Sequence, residues 1–420
     1  MTQQPSSVPD LAPVLPAPGA RVARKAGLIA GIILVSLNLR PAITSLGPLL
    51  PQIEEDLRLS GTGAGLLTML PVLCLGVFAG LGPALRHRFG EDRVLLGCLP
   101  VLLAGILVRL LDPTALLYAG TVVIGGAIAV ANVVLPSLIK REFPDRVPLM
   151  MATYTMALTF GGAAAAGAVI PLEDVVDTDW RGSLGLLAVP VVVGIVAWLP
   201  FGMRRVAATE GRRASVGPLL RDRLAWLVTA FVGLEALLAY VIFGWLPAIC
   251  VDRGMSEEAA GYMMSAITFL QAAGSMVVPF FVDRGGRGQR GFCVVVALGT
   301  AVGLIGVVVA PMWTIWLWAL VLGIIGGAAF SLALTLIGLR AGDGDSAAGL
   351  SSMSQGVGYA LAAAGPFGVG ALHQLSGGWG VPLAVLVGLC VLMAVIGLGA
   401  GRDATLSLSS STSPSSSTKG

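Results

Sequence analysis

The sequence predicts an all-α integral membrane protein whose twelve transmembrane helices form two six-helix repeats. Three observations carry that expectation. Of 420 residues, 56% are hydrophobic and only 12% charged, with 57 Gly and a mean hydropathy of +0.88, a balance that excludes a soluble globular domain. Apolar runs of about twenty residues, the length that crosses a ~30 Å hydrocarbon core, recur at 26–53, 63–85, 94–111, 115–139, 147–171, 183–203, 224–250, 258–282, 292–310, 313–339, 347–371 and 381–401. Finally, one ungapped offset of 196 residues aligns the second half on the first. It pairs Leu50 with Leu246, Pro51 with Pro247, Ile53 with Ile249, Asp56 with Asp252, Ser60 with Ser256, Ala64 with Ala260, Gly65 with Gly261, Pro83 with Pro279, Arg88 with Arg284 and Gly90 with Gly286, ten identities in 41 positions. Six spans separate the copies, so equivalent helices keep one orientation, a parallel repeat about an axis along the membrane normal.

Charge sets the expected topology. With the amino terminus in the cytoplasm, the loops on that side hold 21 Lys or Arg, and the opposite loops only Arg58, Arg181 and Arg253. The positive-inside rule therefore expects both termini in the cytoplasm of a multi-pass protein of the cell's inner (plasma) membrane. The chain divides into a disordered tail (1–25), a first six-helix half (26–203), a basic linker (204–223), a second half (224–401) and a disordered Ser-rich tail (402–420). The six Arg of the linker suit anionic lipid headgroups, so no nucleic-acid partner is implied. The first twenty residues lack the basic and apolar regions of a cleavable leader.

Taken in order, the spans place a few polar side chains deep in apolar surroundings. In span one Arg40 lies roughly 22 Å along the helix from Lys25, where an unpaired guanidinium costs about 2.5–3.5 kcal/mol. Ser36, Arg40 and Thr44, at i, i+4 and i+8, form one polar stripe on an otherwise apolar helix, and Pro41 removes a backbone donor where the helix could bend. Arg40 thus either clamps two helices or handles a solute, the usual role of an intramembrane charge. In span three Arg109 is close enough to the outer end to snorkel. Span four carries Asn132, and span five carries Thr155 and Thr159. Span seven carries Glu235, roughly 16 Å from its inner end, and Tyr240. Under the repeat offset Glu235 falls one position from Arg40. It either neutralises Arg40 across the interface or takes a proton and so frees Arg40 to hold an anion. Gln271, with Thr268 and Ser275, lies on span eight. On span eleven Ser351, Gln355 and Tyr359 repeat the spacing of Thr155 and Thr159. Asn132, Gln271, Gln355 and Tyr359 are candidate solute contacts, although an interhelical hydrogen bond worth about 0.6–2 kcal/mol would also account for any one of them.

Absences narrow the chemistry. There is no GxxxxGK[ST], so no P-loop drives the protein, and no HExxH or second carboxylate cluster suggests an intramembrane hydrolase. Cys74, Cys98, Cys250, Cys293 and Cys390 are scattered singly, with no metal-ligand spacing. No enzyme activity and no cofactor are expected.

Two motifs give the chain a resemblance. Pro83-x-x-x-His87-Arg88-x-Gly90 after span two returns as Pro279-x-x-x-Asp283-Arg284-x-Gly286 after span eight. This resembles the loop signature of the major facilitator superfamily, and the resemblance implies that Arg88, Asp283 and Arg284 latch neighbouring helices in one conformation. The first copy departs from it, with His87 where an acid is usual. Within that superfamily, the string Leu37-Asn38-Leu39-Arg40-Pro41-Ala42-Ile43-Thr44-Ser45-Leu46-Gly47-Pro48-Leu49-Leu50-Pro51 is similar to the first-helix hallmark of the cyanate and 2-nitroimidazole transporter (CynX/NimT) family. Ala131-Asn132 through Pro136, Trp245-Leu246-Pro247 and Gly356-Val357-Gly358-Tyr359 extend the likeness. It implies a secondary transporter of a small anionic or heterocyclic solute, with transport linked to protons; together with the residue reading, the expectation is a monomer with Arg40 at the solute and Glu235 as the coupling site. An exporter of drugs or metabolites on the same fold, and a transporter-like solute receptor, are the alternatives.

Overall fold

The structure, a computed structural model, describes residues 18–59, 61–203, 216–282 and 288–406. The linker's 204–215, Asp283, Arg284 and the outermost tails lie outside the described residues. Among the described residues nine helices are long and apolar enough to cross a membrane, ten when the bent pair Leu66–Phe78 and Leu81–Phe89 is counted as one span. The two that complete the twelve are Glu91–Arg109, bracketed by charges at both ends, and Gly344–Ser376, rich in Gly, Ser and Ala. Each buries one face on its neighbours, the first on span four and the second on span seven, so neither needs an apolar surface all round.

Caps and prolines set the helix limits. Asp222 caps span seven (Arg223–Asp252) by accepting from the N–H groups of Leu224 and Ala225 at 2.7 and 3.1 Å, and Asp343 caps span eleven through Ser346 N–H at 2.7 Å. Helices therefore overrun the apolar runs, because a side-chain oxygen satisfies the first free N–H groups beyond them. Span one starts at Pro18 rather than at residue 26. At the other end Arg402 to Leu406, expected in the tail, fold back, and Leu406 N–H donates to Arg340 O at 2.7 Å.

Span one is broken into Pro18–Asn38, Pro41–Thr44 and Leu46–Leu57. Pro41 cannot donate to Leu37 O, which is where the helix yields. Span five (Val147–Val176) closes on this kink through Gly161: a Cβ there would lie 2.3 Å from Leu37 O, so only glycine admits the approach. In span two the chain bends by 56° ahead of Pro83, which leaves Ala79 O free of its helical partner. Ser352 Oγ of span eleven donates to that carbonyl at 3.0 Å.

Packing repeats with the sequence. Span three lies on span four (Thr114–Glu142), as span nine (Gly288–Val309) lies on span ten (Ile315–Arg340). Between the halves, span five meets span eight (Glu257–Ser275), and its repeat equivalent, span eleven, meets span two (Gly61–Phe78). The same pair is thus used twice, as a two-fold relation along the membrane normal requires.

Arg109 corrects an expectation. It does not snorkel but is 1% exposed, and donates to Ala42 O at 2.8 Å and Thr121 Oγ1 at 3.2 Å. The broken segment of span one presents its carbonyl to span three, and the guanidinium takes that acceptor in place of water.

Candidate functional site

A cavity of about 770 Å³ lies between the halves. Its lining runs from Gly47 and Pro48 on span one and Pro247 and Gly261 on spans seven and eight down to Asn132, Ser354 and Gln355. We call the side that carries the first turn of span one the terminal face, and the opposite side the far face.

Arg40 reaches this cavity because span one breaks beneath it. As the residue before Pro41–Thr44 it sits outside regular helix (φ −107°, ψ −31°). Its carbonyl accepts from Thr44 N–H at 3.0 Å and Thr44 Oγ1 at 3.2 Å, while Thr44 Oγ1 also donates to Gly162 O at 2.8 Å. On the other flank Asn38 Nδ2 donates to Pro190 O of span six at 3.1 Å. The guanidinium carbon stands 5.0 Å from the ring centroid of Phe330 on span ten, a cation–π contact across the seam. No carboxylate pairs with it among the described residues. The expected stripe is split by the break: Arg40 and Thr44 line the cavity, but Ser36 is fully buried and donates to Ile32 O at 2.5 Å.

Glu235 lines the same cavity from span seven and is 6% exposed. It forms no ion pair with Arg40 among the described residues, so the direct neutralisation allowed by the sequence is not made in this conformation. Its helix is seated against span eleven at Gly233, where a Cβ would lie 3.2 Å from the Cα of Gly358.

The neutral candidates fall into two groups. Asn132, Gln271, Gln355 and Tyr359 all line the cavity. Asn132 Oδ1 accepts from the Tyr154 hydroxyl at 2.9 Å, and its backbone carbonyl accepts from Gln355 Nε2 at 3.1 Å; that Nε2 also donates to Ser351 Oγ at 2.7 Å. This chain joins spans five, four and eleven into a cross-linked floor. By contrast Thr155 and Thr159 are buried away from the cavity, and Thr155 Oγ1 is spent on Met151 O at 3.0 Å. Helical back-bonding of this kind is the ordinary fate of a threonine inside a span.

Sequence reasoning missed the aromatic wall. Tyr154, Phe243 and Phe330 join Tyr240 and Tyr359 around the cavity, the last two with ring centroids 6.3 Å apart at 68°. A signal was present: the chain has only five Tyr, and three sit deep in spans rather than at the membrane interface where Tyr concentrates.

Arg88 is exposed, with its guanidinium carbon 5.3 Å from the ring centroid of Phe89. Arg86, two residues earlier, pairs with Asp345 at the start of span eleven and donates to Glu91 Oε1 at 2.7 Å. Arg141 of span four pairs with the other oxygen of Glu91 and with Asp92 at 2.9 Å, and Ser137 Oγ donates to Glu91 at 3.0 Å. Glu91 precedes the apolar run, which begins at Val94. Burial pushes its carboxyl up, but the Arg141 and Arg86 guanidiniums together outweigh that and hold it below the usual range. The Arg86–Asp345 pair, Ser352 on Ala79 O and Gln355 on Asn132 O all tie the two halves together on the terminal side of the cavity.

Comparison with known proteins gives a consistent picture. Residues 28–363 match the Major Facilitator Superfamily. The chain is 41% identical over 380 residues to the 2-nitroimidazole transporter of Escherichia coli (strain K12), covering 90% of this chain and 95% of that one. It is 32% identical over 366 residues to the cyanate transport protein CynX of the same organism, covering 86% and 94%. Among solved structures, the proton:xylose symporter XylE bound to 6-bromo-6-deoxy-D-glucose matches with a TM-score of 0.69 and 13% identity, over 89% of this chain and 95% of that one, a likeness of fold.

Proposed function

Because this chain belongs to the Major Facilitator Superfamily and is a multi-pass membrane transporter of the CynX/NimT type, we propose that it carries a small anionic or heterocyclic solute by alternating access, coupled to protons. One observation carries the reading: Arg40 and Glu235, a guanidinium and a carboxyl among the described residues lining the central cavity, face one solute-sized space without pairing with each other. Arg40 holds the solute's negative charge or electronegative edge. Glu235 takes the coupling proton, and Asn132, Gln271, Gln355 and Tyr359 shape the pocket. The relatives support the solute class, since one is named for 2-nitroimidazole and another for cyanate.

In this reading the terminal face is cytoplasmic, following the excess of Lys and Arg on that side. The Arg residues of the basic linker suit anionic lipid headgroups, and the monomer suffices because both halves of the cavity come from one chain. Moving one anion with one proton transfers no net charge, so the cycle escapes the cost of about 2.3 kcal/mol per charge per 100 mV.

The test is uptake of labelled cyanate and 2-nitroimidazole into proteoliposomes, with and without an inward proton gradient, beside Arg40→Ala. The expected result is gradient-driven uptake of at least one solute that the substitution abolishes while the protein is still made and inserted. Normal uptake by Arg40→Ala refutes the assignment of Arg40.

A further inference from the structure

We infer that the central cavity carries an apolar side branch within the second half, and that this branch receives a short alkyl substituent on the solute, with Thr300 and Met393 deciding how long that substituent can be. The inference rests on the reading of this cavity as the solute site and adds a feature of the solute beyond its anionic or heterocyclic core.

The lining of the cavity is asymmetric. It takes Thr300 from span nine and Met393 from span twelve (Gly380–Ala400), but none of the described residues of spans three and six, which hold the corresponding places in the first half. Span seven shows how the cavity reaches that far. Val232, Ala236, Ala239 and Phe243, at i, i+4, i+7 and i+11, share one face of its helix, and Glu235, Leu238 and Ile242, at i, i+3 and i+7, share another about 100° round the axis. Both sets line the cavity. Phe231 belongs to the second face, and that face turns to span twelve, since a Cβ on Gly397 would lie 3.1 Å from the Phe231 ring. Span eleven occupies the opposite flank, where Gly233 meets Gly358. The cavity therefore wraps round the side of span seven that faces away from span eleven.

The walls of this branch are apolar. Leu238 and Ile242 of span seven, Leu322 of span ten and Met393 are buried side chains that still border the cavity. Leu322 is seated on span nine, where a Cβ on Gly303 would lie 2.5 Å from its Cδ2. Thr300, three residues from Gly303 on the same helix, donates its hydroxyl proton to Val296 O at 2.9 Å, so that donor is spent on its own backbone. Glu235 is the one charged side chain on this face of span seven, at the end of the set nearest the terminal face. An apolar recess holds water poorly and gains free energy by taking an apolar group out of solution. From Glu235 to Ile242 is roughly 10 Å along the helix, longer than an extended propyl chain. A bare triatomic ion held at Arg40 has no apolar arm to place there.

The experiment is equilibrium binding by titration calorimetry to the purified full-length protein in detergent, with 2-nitroimidazole and its 1-methyl, 1-propyl and 1-(2-hydroxyethyl) derivatives as probes. Affinity should rise about fourfold for each carbon from the parent to the propyl derivative, equivalent to ~0.8 kcal/mol per buried methylene. The hydroxyethyl derivative, as long as the propyl one but polar at its end, should fall about tenfold short of it. Thr300→Leu and Met393→Phe each narrow the branch and should bring the propyl-to-parent ratio close to one, a change in selectivity that neither partial unfolding nor partition into detergent would produce. Equal binding of parent and propyl derivative by the unmodified protein overturns the inference, as does a ratio that both substitutions leave unchanged. The branch is also read without any solute. In a background lacking the native cysteines, Thr300→Cys should be modified by propyl methanethiosulfonate about tenfold faster than by its 2-hydroxyethyl counterpart, each rate taken relative to free cysteine. If that preference is found while no nitroimidazole binds, the solute reading has failed and the alkyl-accepting branch stands; absence of modification, or equal rates, overturns the branch.

Discussion

The contact between Arg86 and Asp345 offers a direct measurement of what ties the two halves together on the terminal side. Replacing Asp345 with Asn removes the charge that span eleven offers to span two but leaves Arg86 with Glu91 at 2.7 Å, so no buried cation is stranded. The Arg86 and Asp345 side chains are 10% and 29% exposed. Fully exposed pairs contribute about 0.2–1 kcal/mol, and breaking a buried pair costs about 3–5 kcal/mol, most of it from the orphaned charge. With partial exposure and no orphan, the loss should be about 1 kcal/mol, a roughly fivefold shift from closed toward open. A single cysteine at position 352, where Ser352 meets Ala79 across the seam, reports the shift in a background lacking the native cysteines. Its labelling rate by a membrane-impermeant maleimide applied to the terminal face should rise about fivefold with Asp345→Asn. Arg86→Ala added to it should raise the rate little further, because the two substitutions remove one interaction. An unchanged rate, or two fully additive increases, would refute a closing role for this pair.

Three further outcomes are expected. Since Glu91 titrates below the ordinary glutamate value near 4.3, its stabilising contribution is complete above about pH 4.3 and fades only as pH falls through the lowered value; Glu91→Gln should therefore melt lower than the unmodified protein at pH 7, with the gap narrowing only below about pH 4. Gly327→Ala would put a Cβ 1.9 Å from Gln271 O, forcing spans eight and ten apart at a cost of about 1–3 kcal/mol in thermal unfolding, whereas Gly388→Ala, with nothing within 4 Å, should be neutral or gain up to about 1 kcal/mol. Glu235→Gln should leave solute binding intact and make proteoliposome flux independent of pH; a mutant that keeps its pH dependence would leave Glu235 with a structural role.

Much of the architecture was legible because it is written in periodic terms. Apolar run length locates spans, and the 196-residue offset makes span five equivalent to span eleven and span two to span eight, so that the two contacts between the halves, five on eight and eleven on two, are copies of one another. Arg40, Glu235, Asn132, Gln271, Gln355 and Tyr359 could be picked out individually, since each is polar where the surroundings are apolar, and all six line one cavity. What failed was inference along a straight helix. Ser36 falls in line with Arg40 only if span one continues unbroken through Pro41, and Thr155 points into the cavity only if a threonine in a span seeks water rather than its own backbone. Arg109 was misjudged and Arg86 passed over for a related reason: their acceptors, Ala42 O and Asp345, are 67 and 259 residues away in the chain, the first exposed by a kink and the second set across the seam.

The carbonyl of Ala79 has a consequence for how reversibly the two halves can part. Pro83 has no N–H to give it, so it accepts from Gly82 N–H at 3.2 Å and, across the seam, from Ser352 Oγ at 3.0 Å; part of the adhesion between halves is thus a neutral hydrogen bond that water can replace. Such an exchange changes the free energy by only about 0.5–1.5 kcal/mol, far less than separating an apolar surface of similar extent would require. A seam fastened in this way is a zip rather than a weld: each bond along it is weak enough for thermal motion to undo, and the kink at Pro83 is what supplies the acceptor for one of them.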